Sequence, residues 1–283
     1  TKSEYLHSYQ ELDIAISDLG GDFYITRGQD TYLGSGSFST SWQFDENGIA
    51  VETGPITVDV VYDKGPFISD EKVAVLNSPQ VNSVCTNKWK TYELFSEFCP
   101  KTIQVASADL LKSALAQIST DLKVVKPLHG AEGVDVHIAT SEELMATDMN
   151  YPVLVQEFLD STGGIEGLTE GIHDFRIAIL NGEIVYAFLR TPPAGQLKAN
   201  VALGGTLLVI PKEEIPEPFM QVAREVDNKM SRFGNRLYGV DMAMTPQGPR
   251  IIELNSSLGL QENARHPIFI EYKKKLARVL MEM

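Results

Sequence analysis

The stretch that decides the fold is residues 238–255, YGVDMAMTPQGPRIIELN. Two largely apolar runs flank TPQGP, a cluster of turn-forming residues, and this pattern predicts a β-hairpin. Asp241 interrupts the first run, while Glu253 and Asn255 lie two residues apart on the second run and so share one face of a sheet. If the two strands pair around the turn, the three side chains converge.

Converging oxygen atoms of this kind are typical ligands of Mg²⁺, which takes one or two carboxylates together with substrate phosphates. Carboxylates among Ile and Met are also costly unless a cation neutralises them. The hairpin therefore predicts a metal site formed by Asp241, Glu253 and Asn255. The alternative is a salt-bridged pair within the sheet, although Arg250 is the only basic residue in the hairpin.

A second hairpin precedes the first. DFRIAIL at 174–180 and EIVYAFLR at 183–190 alternate with period two and are joined by Asn-Gly, the strongest short hairpin signal. Arg176 and Arg190 lie near the open end of this hairpin and, with Lys198 and Asn200, form a candidate basic cluster. Such a cluster suits the charge on a transferring phosphoryl group or an acyl phosphate. Taken singly, each residue is equally well explained as a surface ion pair.

Lys126 ends the predicted strand DLKVVK and precedes the loop PLHGAEG, which contains Gly130 and Gly133. A lysine here can meet a phosphate as a point charge, and the N–H groups of the loop can cover phosphate oxygens. A solvated strand end explains Lys126 alone equally well. The loop lacks the spacing GxxxxGK[ST], and no GxGxxG follows a strand, so neither a P-loop nor a Rossmann dinucleotide site is supported.

Periodicity and breakers predict the remaining elements. Helices are expected over residues 3–18, 84–98, 106–118, 215–233 and 268–282, with a short one starting at Ser141. Strands are expected over residues 22–26, 39–44, 56–62, 122–125, 134–138 and 153–156. The last of these leads into VQEFL, which could offer backbone groups and Glu157 to a nucleobase and ribose, or could be a core strand.

Composition limits the kind of partner. The 283 residues suggest two domains or one large one, and their formal net charge of -14 disfavours general binding to nucleic acid or to anionic lipid. No apolar run is long enough to span a membrane, and the polar, acidic start does not look like a signal peptide. Cys85 and Cys99 are expected to be reduced packing residues, which fits a cytoplasmic protein.

The order of these motifs resembles the ATP-grasp superfamily, and most closely the ribosomal-protein glutamate ligases and glutathione synthetase-like carboxylate–amine ligases. The similar segments are NKWKTYELF, VVKPLHGAEGVDV, VQEFL, HDFRIAILNGEIVYAFLR, LKANVALGG, GVDMAM and IIELNSSLGL, in that order between residues 87 and 260. The resemblance implies an α/β (α+β) fold in which two lobes grip ATP. Residues 1–80 would be a small pre-ATP-grasp domain, 81–158 the small (lid) lobe and 159–283 the C-terminal lobe with the metal site.

The resemblance also implies roles for individual residues. Lys88 and Lys126 would contact ATP phosphates, and His129, Gly130 and Gly133 would belong to a mobile lid. Gln156, Glu157, Phe158 and Leu159 would bind adenine and ribose. Asp241, Glu253 and Asn255 would hold two Mg²⁺ or Mn²⁺ ions, and Arg176, Arg190, Lys198 and Asn200 would line the phosphoryl-transfer and acyl-substrate site. The chain departs from the usual pattern at Asn87, where an acidic residue is common.

The implied activity is ligation of a carboxylate to an amine through an acyl phosphate, with release of ADP and phosphate. The acceptor would be a small molecule, a peptide or a protein tail, and homo-oligomers are frequent among such proteins. Two alternatives stay open at this point. One is a kinase that phosphorylates a small molecule, and the other is a non-catalytic nucleotide-binding module.

Overall fold

A computed structural model of the chain describes residues 2–64, 68–130, 133–193, 195–197, 199, 204–259 and 266–283, with side chains from residue 6 onward. Its α-helices are α1 Lys2–Ser17, α2 Pro79–Thr86, α3 Lys88–Phe95, α4 Ala108–Leu115, α5 Ser141–Met145, α6 Glu217–Met230 and α7 Pro267–Glu282. The first seven strands are β1 Tyr32–Gly34, β2 Ser37–Phe38, β3 Trp42–Phe44, β4 Ala50–Glu52, β5 Ile56–Thr57, β6 Val60–Tyr62 and β7 Ala74–Leu76. The others are β8 Thr102–Val105, β9 Lys123–Pro127, β10 His137–Ala139, β11 Val153–Glu157, β12 Asp174–Leu180, β13 Glu183–Thr191, β14 Thr206–Ile210, β15 Leu237–Thr245 and β16 Gly248–Asn255.

The largest sheet has five antiparallel strands in the order β14-β13-β12-β15-β16. Both predicted hairpins are confirmed as β12–β13 and β15–β16. Asn181 and Gly182 have φ of 48° and 92° at the first turn, the left-handed conformation that this turn requires. Alternation along the strands buries both faces of the sheet, so a helical layer must cover each of them.

Those layers come from opposite ends of the chain. One face packs on α6, where Phe175 stacks on Phe219 at 4.5 Å between ring centroids, and on α2. The other face packs on α7, which in turn packs on α1 through Leu12 and Leu276. Because α1 shares a core with α7, the first helix of the chain lies beside the last.

A second sheet of four antiparallel strands, in the order β10-β9-β11-β8, is covered by α4 and α5. Its core is separate from that of the larger sheet and is built from short aliphatic residues such as Val125, Leu111 and Val155. Two polar side chains tie the surrounding segments to the β15–β16 hairpin. Buried Asn77 accepts from Leu237 N at 2.7 Å, and His173 Nε2 accepts from Met244 N at 2.9 Å.

Three sequence predictions are wrong in detail. The helix expected over 84–98 is two helices, because the Asn87 side chain accepts from Trp89 N and Lys90 N and so caps α3. The strand expected over 22–26 amounts to one bridge between Ile25 and Trp42. The strand expected over 56–62 is two strands, β5 and β6, which pair with different partners. Within the described part of the chain, no helix has the length and apolarity that a membrane span needs.

Phe219 tests the packing of the large sheet, since its side chain has no exposed surface. We expect Phe219→Ala to lower the free energy of unfolding by roughly 3–5 kcal/mol, because it leaves a cavity against Phe175. The matched control is Leu208→Ala on edge strand β14, where the side chain is 51% exposed and the change should stay within about 0.5 kcal/mol. Denaturant unfolding measures both, and equal effects would contradict this packing.

Candidate active site

Three adjacent strands align the central residues of the site. Asp241 on β15 pairs with Arg176 on β12 and with Glu253 on β16, so the three side chains form a row across one face of the sheet. Asn255 pairs with Gly239, two residues further along the same face. The predicted convergence of Asp241, Glu253 and Asn255 is therefore what the strand register produces, with a bulge just after Asp241.

Asp241 has no exposed surface, and both of its oxygens are held by guanidinium groups. Arg176 donates from Nε to Oδ1 and from Nη2 to Oδ2, each at 2.5 Å. Arg190 adds a bond from Nη2 to Oδ2 at 2.9 Å. Burial alone would raise the pKa of Asp241, but Arg176 and Arg190 outweigh it and hold that pKa below its ordinary value.

Asp241 is therefore salt-bridged within the sheet, as the alternative to a metal site supposed, and its partners come from the neighbouring hairpin β12–β13. Arg250, the basic residue within its own hairpin, instead donates to Glu97 O at 2.7 Å. Gly239 leaves room for this side chain, because a Cβ there would lie 3.2 Å from Arg176 Cδ and 3.0 Å from Leu258 Cδ2. A larger residue at position 239 would require these neighbours to shift by a few tenths of an ångström.

Asp174 belongs to the same cluster, although the sequence analysis did not single it out. It pairs with Arg190 across β12 and β13, and its carboxylate accepts from Arg190 Nη2. Burial and the charge of Asp241 raise its pKa to about 7, against the opposing effect of Arg190. Phe188 lies beneath both guanidiniums, with its ring centroid 5.4 Å from each. The sequence did offer a signal for Asp174, because it lies two residues before Arg176 on the same predicted strand and so shares its face.

A second cluster forms where the two sheets meet. Lys126 lies on β9 of the four-stranded sheet, yet its Nζ donates to Ile252 O of β16 at 3.3 Å. Lys88 Nζ donates to Gly130 O at 2.7 Å and lies 3.7 Å from Glu253 Oε2. Burial lowers the pKa of Lys126 to about 8, with Glu253 opposing that shift and Lys88 adding to it. Lys126 is thus a buried ammonium beside a carboxylate, so a solvated strand end is the wrong interpretation.

Of the residues predicted to form a lid, Gly130 contacts this cluster through Lys88 Nζ and His129 lies next to it. His129 is exposed, and its Nε2 lies 3.4 Å from Asn87 Nδ2, next to Lys88. Gly130 and Gly133 both have positive φ, 122° and 72°, a backbone conformation that glycine adopts readily. Lys198 and Asn200 lie outside the described residues, so their predicted roles stay predictions.

The residues predicted to bind adenine and ribose lie at the end of β11 and beyond it. Gln156 is buried and donates to Thr102 Oγ1 at 2.7 Å, which gives it a structural partner inside the sheet. Glu157 accepts from Lys101 N at 3.1 Å, and Phe158 N donates to Thr120 Oγ1 at 3.3 Å. Leu159 is partly exposed after the strand. Their roles toward adenine and ribose remain predictions.

The donor set can be compared with what a metal requires. Among the described residues, no three His, Cys, Asp or Glu side chains form a group that could hold a metal ion. Glu253 faces Lys88 and retains partial exposure, while Asn255 Oδ1 accepts from Ser257 N at 2.9 Å. Asn255 and the two carboxylates offer the oxygen ligands that Mg²⁺ prefers, and the pairing of β15 with β16 places them on one face of the sheet. They fit provided that Asp241 releases a guanidinium.

A large cavity, which no sequence pattern predicted, reaches the segment that follows β16. Its volume is about 1380 Å³, and its walls are two extended segments, residues 20–29 and 56–64, with α1 beside them. Aromatic side chains line it, among them Tyr9, Tyr24 and Tyr62. One end reaches Ser257, two residues beyond Asn255, and Lys64 donates there to Leu258 O. The cavity thus leads toward the end of β16.

Lys126 yields a prediction that needs no ligand. Its pKa is about 8 in the folded protein and ordinarily 10.5, so between these pH values the unfolded chain binds more protons. The free energy of unfolding should therefore rise with pH across that window, by up to roughly 3 kcal/mol from this group. Lys126→Met should be more stable below pH 8 and should lack the rise. Parallel denaturation curves at pH 7, 8.5 and 10 measure it, and identical pH profiles would contradict the buried ammonium.

Comparison with solved structures shows the fold. A RimK domain ATP-grasp protein from Sphaerobacter thermophilus superimposes with a TM-score of 0.65 at 14% identity, covering 97% of this chain and 95% of that one. The ATP-grasp ligase PsnB, in complex with a minimal precursor, Mg and ADP, superimposes with a TM-score of 0.60 at 16% identity, covering 97% and 94%. The ATP-grasp fold expected from the resemblance is confirmed.

Sequence comparison gives the family. A probable alpha-L-glutamate ligase of Psychromonas ingrahamii is 27% identical over 206 residues, which cover 70% of this chain. The aligned part is 61% of that relative, so the chain spans about three fifths of its length. The family model of the RimK-like ATP-grasp domain matches residues 85–280, from the start of the lysine cluster through both hairpins to α7. The chain therefore belongs to the RimK-like ATP-grasp family.

Proposed function

We propose that this protein is an ATP-dependent carboxylate–amine ligase. The observation that carries the proposal is the meeting of two charge clusters on one sheet face: Lys88 and Lys126 beside Glu253, and Arg176 and Arg190 around Asp241. The first cluster lies where both sheets meet, which suits a nucleotide triphosphate held between two lobes. The second suits the carboxylate that receives the phosphoryl group.

The residues would act mainly by neutralising charge and fixing geometry. A carboxylate oxygen attacks the γ-phosphorus, the bond to ADP breaks, and the amine then displaces phosphate from the acyl carbon. Lys88 and Lys126 would neutralise the triphosphate, and the guanidiniums would orient the substrate carboxylate and the acyl phosphate. Mg²⁺ or Mn²⁺, held by Asp241, Glu253 and Asn255, supplies further neutralisation of the phosphates when it is bound. Lys198 and Asn200 would complete the acyl site.

A peptide or a protein tail is the acceptor that we favour over a free amino acid. Proteins similar to this chain include a probable glutamate ligase, and the similar ligase PsnB was solved in complex with a minimal precursor. The cavity between residues 20–29 and 56–64 supports this choice, because it lies between two extended segments, is large enough for several residues of a peptide, and is lined in part by Ser257, two residues beyond Asn255. We also propose the domain boundaries that the resemblance implies, with domains at residues 1–80, 81–158 and 159–283. Free, buried Cys85 and Cys99 fit a reducing compartment such as the cytoplasm, where ATP is available.

Product analysis tests the reaction. With Mg-ATP, an acid and an amine, we expect ADP, phosphate and a product whose mass equals the sum of the acid and the amine minus one water. Glu253→Gln should lower kcat by about 100-fold or more, because it removes a charged metal ligand and a partner of Lys88. The control is Glu217→Gln, which breaks the exposed pair with Arg224 far from the site. Amine-independent phosphorylated product would establish a kinase instead, and bound but uncleaved ATP would indicate a binding module.

The cavity yields a separate test of the acceptor. Thr26 lines it and is only partly exposed, so Thr26→Trp should place an indole ring inside the cavity and obstruct part of it without altering the charge clusters. We expect KM for peptide acceptors to rise at least about tenfold while ATP binding is unchanged. Ser113→Trp, on the exposed face of α4, is the matched control. If both variants use peptides as well as the unaltered chain does, the cavity is not the acceptor site.

A further inference from the structure

The bonding of Asp241 has a consequence for how a metal can bind, and the inference below rests on the proposed role of Asp241 as a ligand. Both carboxylate oxygens already accept bonds from Arg176, and one also accepts from Arg190. These bonds are charge-assisted, and the residue has no exposed surface. A divalent cation must therefore compete with a guanidinium for the same oxygen atoms.

Charge balance limits that competition. Asp174 and Asp241 face Arg176 and Arg190 in a buried group with two charges of each sign when both acids are ionised. A divalent cation beside Asp241 leaves an excess of positive charge at a desolvated place, which is costly. Glu253 offsets only part of that excess, because Lys88 and Lys126 already lie beside it. An added anion removes the cost.

The two arginines differ in what else holds them. Arg190 is also bonded to Asp174, so it keeps a carboxylate when Asp241 turns to a metal. Arg176 bonds to no carboxylate but Asp241 among the described residues, and its guanidinium also lies over the Phe188 ring. Arg176 is thus the guanidinium that requires a new anionic partner.

We propose that Asp241 exchanges partners: a divalent cation takes its carboxylate when an anion, either a nucleotide phosphate or a substrate carboxylate, takes Arg176. Metal and anion then bind with positive cooperativity, and each raises the affinity of the other by the same factor. Arg176 acts in this exchange as a positioning residue that keeps the metal site closed until a substrate anion is present. Asp174 keeps Arg190 in place throughout.

The experiment is a titration of the full chain with Mn²⁺, in which EPR measures free Mn²⁺. For the unaltered chain we expect weak binding of Mn²⁺ alone and binding at least about tenfold tighter with glutamate, a carboxylate, or with sulfate in place of phosphate. The arm that responds identifies the anion that Arg176 takes. If neither anion changes the affinity for Mn²⁺, the exchange is overturned.

Variants isolate the guanidinium. Arg176→Gln should bind Mn²⁺ alone about tenfold or more tightly than the unaltered chain and should lose the response to anions. Arg190→Gln should show a smaller gain in affinity for Mn²⁺. This second variant keeps the test decisive if Arg176→Gln does not fold. The matched control is Arg236→Gln, which removes an equally bidentate partner of Asp227 between the segment before β15 and helix α6 and should not change Mn²⁺ binding. Unchanged affinity in Arg176→Gln and Arg190→Gln would overturn the exchange.

Asp241→Asn separates this inference from the metal assignment. With a non-hydrolysable ATP analogue present, it should lose protein-bound Mn²⁺. If it does and the arginine variants behave like the unaltered chain, the metal assignment stands and only the exchange fails. If Asp241→Asn binds Mn²⁺ with the analogue as tightly as the unaltered chain does, Asp241 is not a metal ligand. In that case both the metal assignment of Asp241 and the exchange of partners are wrong.

Discussion

The bidentate pair between Arg176 and Asp241 is the interaction on which the rest of the site depends. It joins the central strands of the large sheet, β12 and β15, at a fully buried position. Removal of Asp241 would leave the Arg176 guanidinium without a carboxylate inside the sheet, which typically costs about 3–5 kcal/mol, whereas Asp241 without Arg176 would still have its bond from Arg190. The register that pairs Asp241 with Arg176 is therefore the one that neutralises both charges. That register also sets the position of Glu253 across from Asp241 and of Asn255 two residues further along.

The helical layers fix the same strand register from outside the sheet. The sheet is covered by α6 on one face and by α7 with α1 on the other, so the hairpins cannot slide without exposing Phe175 or Tyr186. His173 and Asn77 hold the two ends of the β15–β16 hairpin through buried bonds to Met244 N and Leu237 N. A rigid hairpin lets a few charged side chains keep their separation while ligands change.

Much of this arrangement could be predicted from local sequence, and the rest could not for a physical reason. Asn181-Gly182 and the alternating runs predict both hairpins, because turn chemistry and side-chain period are local properties. The break between α2 and α3 was missed because Asn87 competes with the helix through its own side chain, an effect that apolar periodicity does not report. The partners of Asp241 were missed because they lie 51 and 65 residues away and are brought close only by the order of the strands. The cavity beside residues 20–29 depends on packing between distant segments in the same way.

The charge of the site runs opposite to that of the whole chain. The chain has a formal net charge of -14, yet four basic side chains gather in the cleft against three carboxylates, one of which has its pKa raised to about 7. An acidic exterior repels anions at long range, whereas the buried cations act only at contact, where screening by salt is weak. Such a site would favour a ligand that brings negative charge in a compact, partly neutralised form. A nucleotide whose phosphates are already paired with a divalent cation meets that condition better than free nucleotide does, because it reduces both the long-range repulsion and the cost of desolvation. The same electrostatics that hold Asp241 inside the sheet thus favour the arrival of metal and phosphate together.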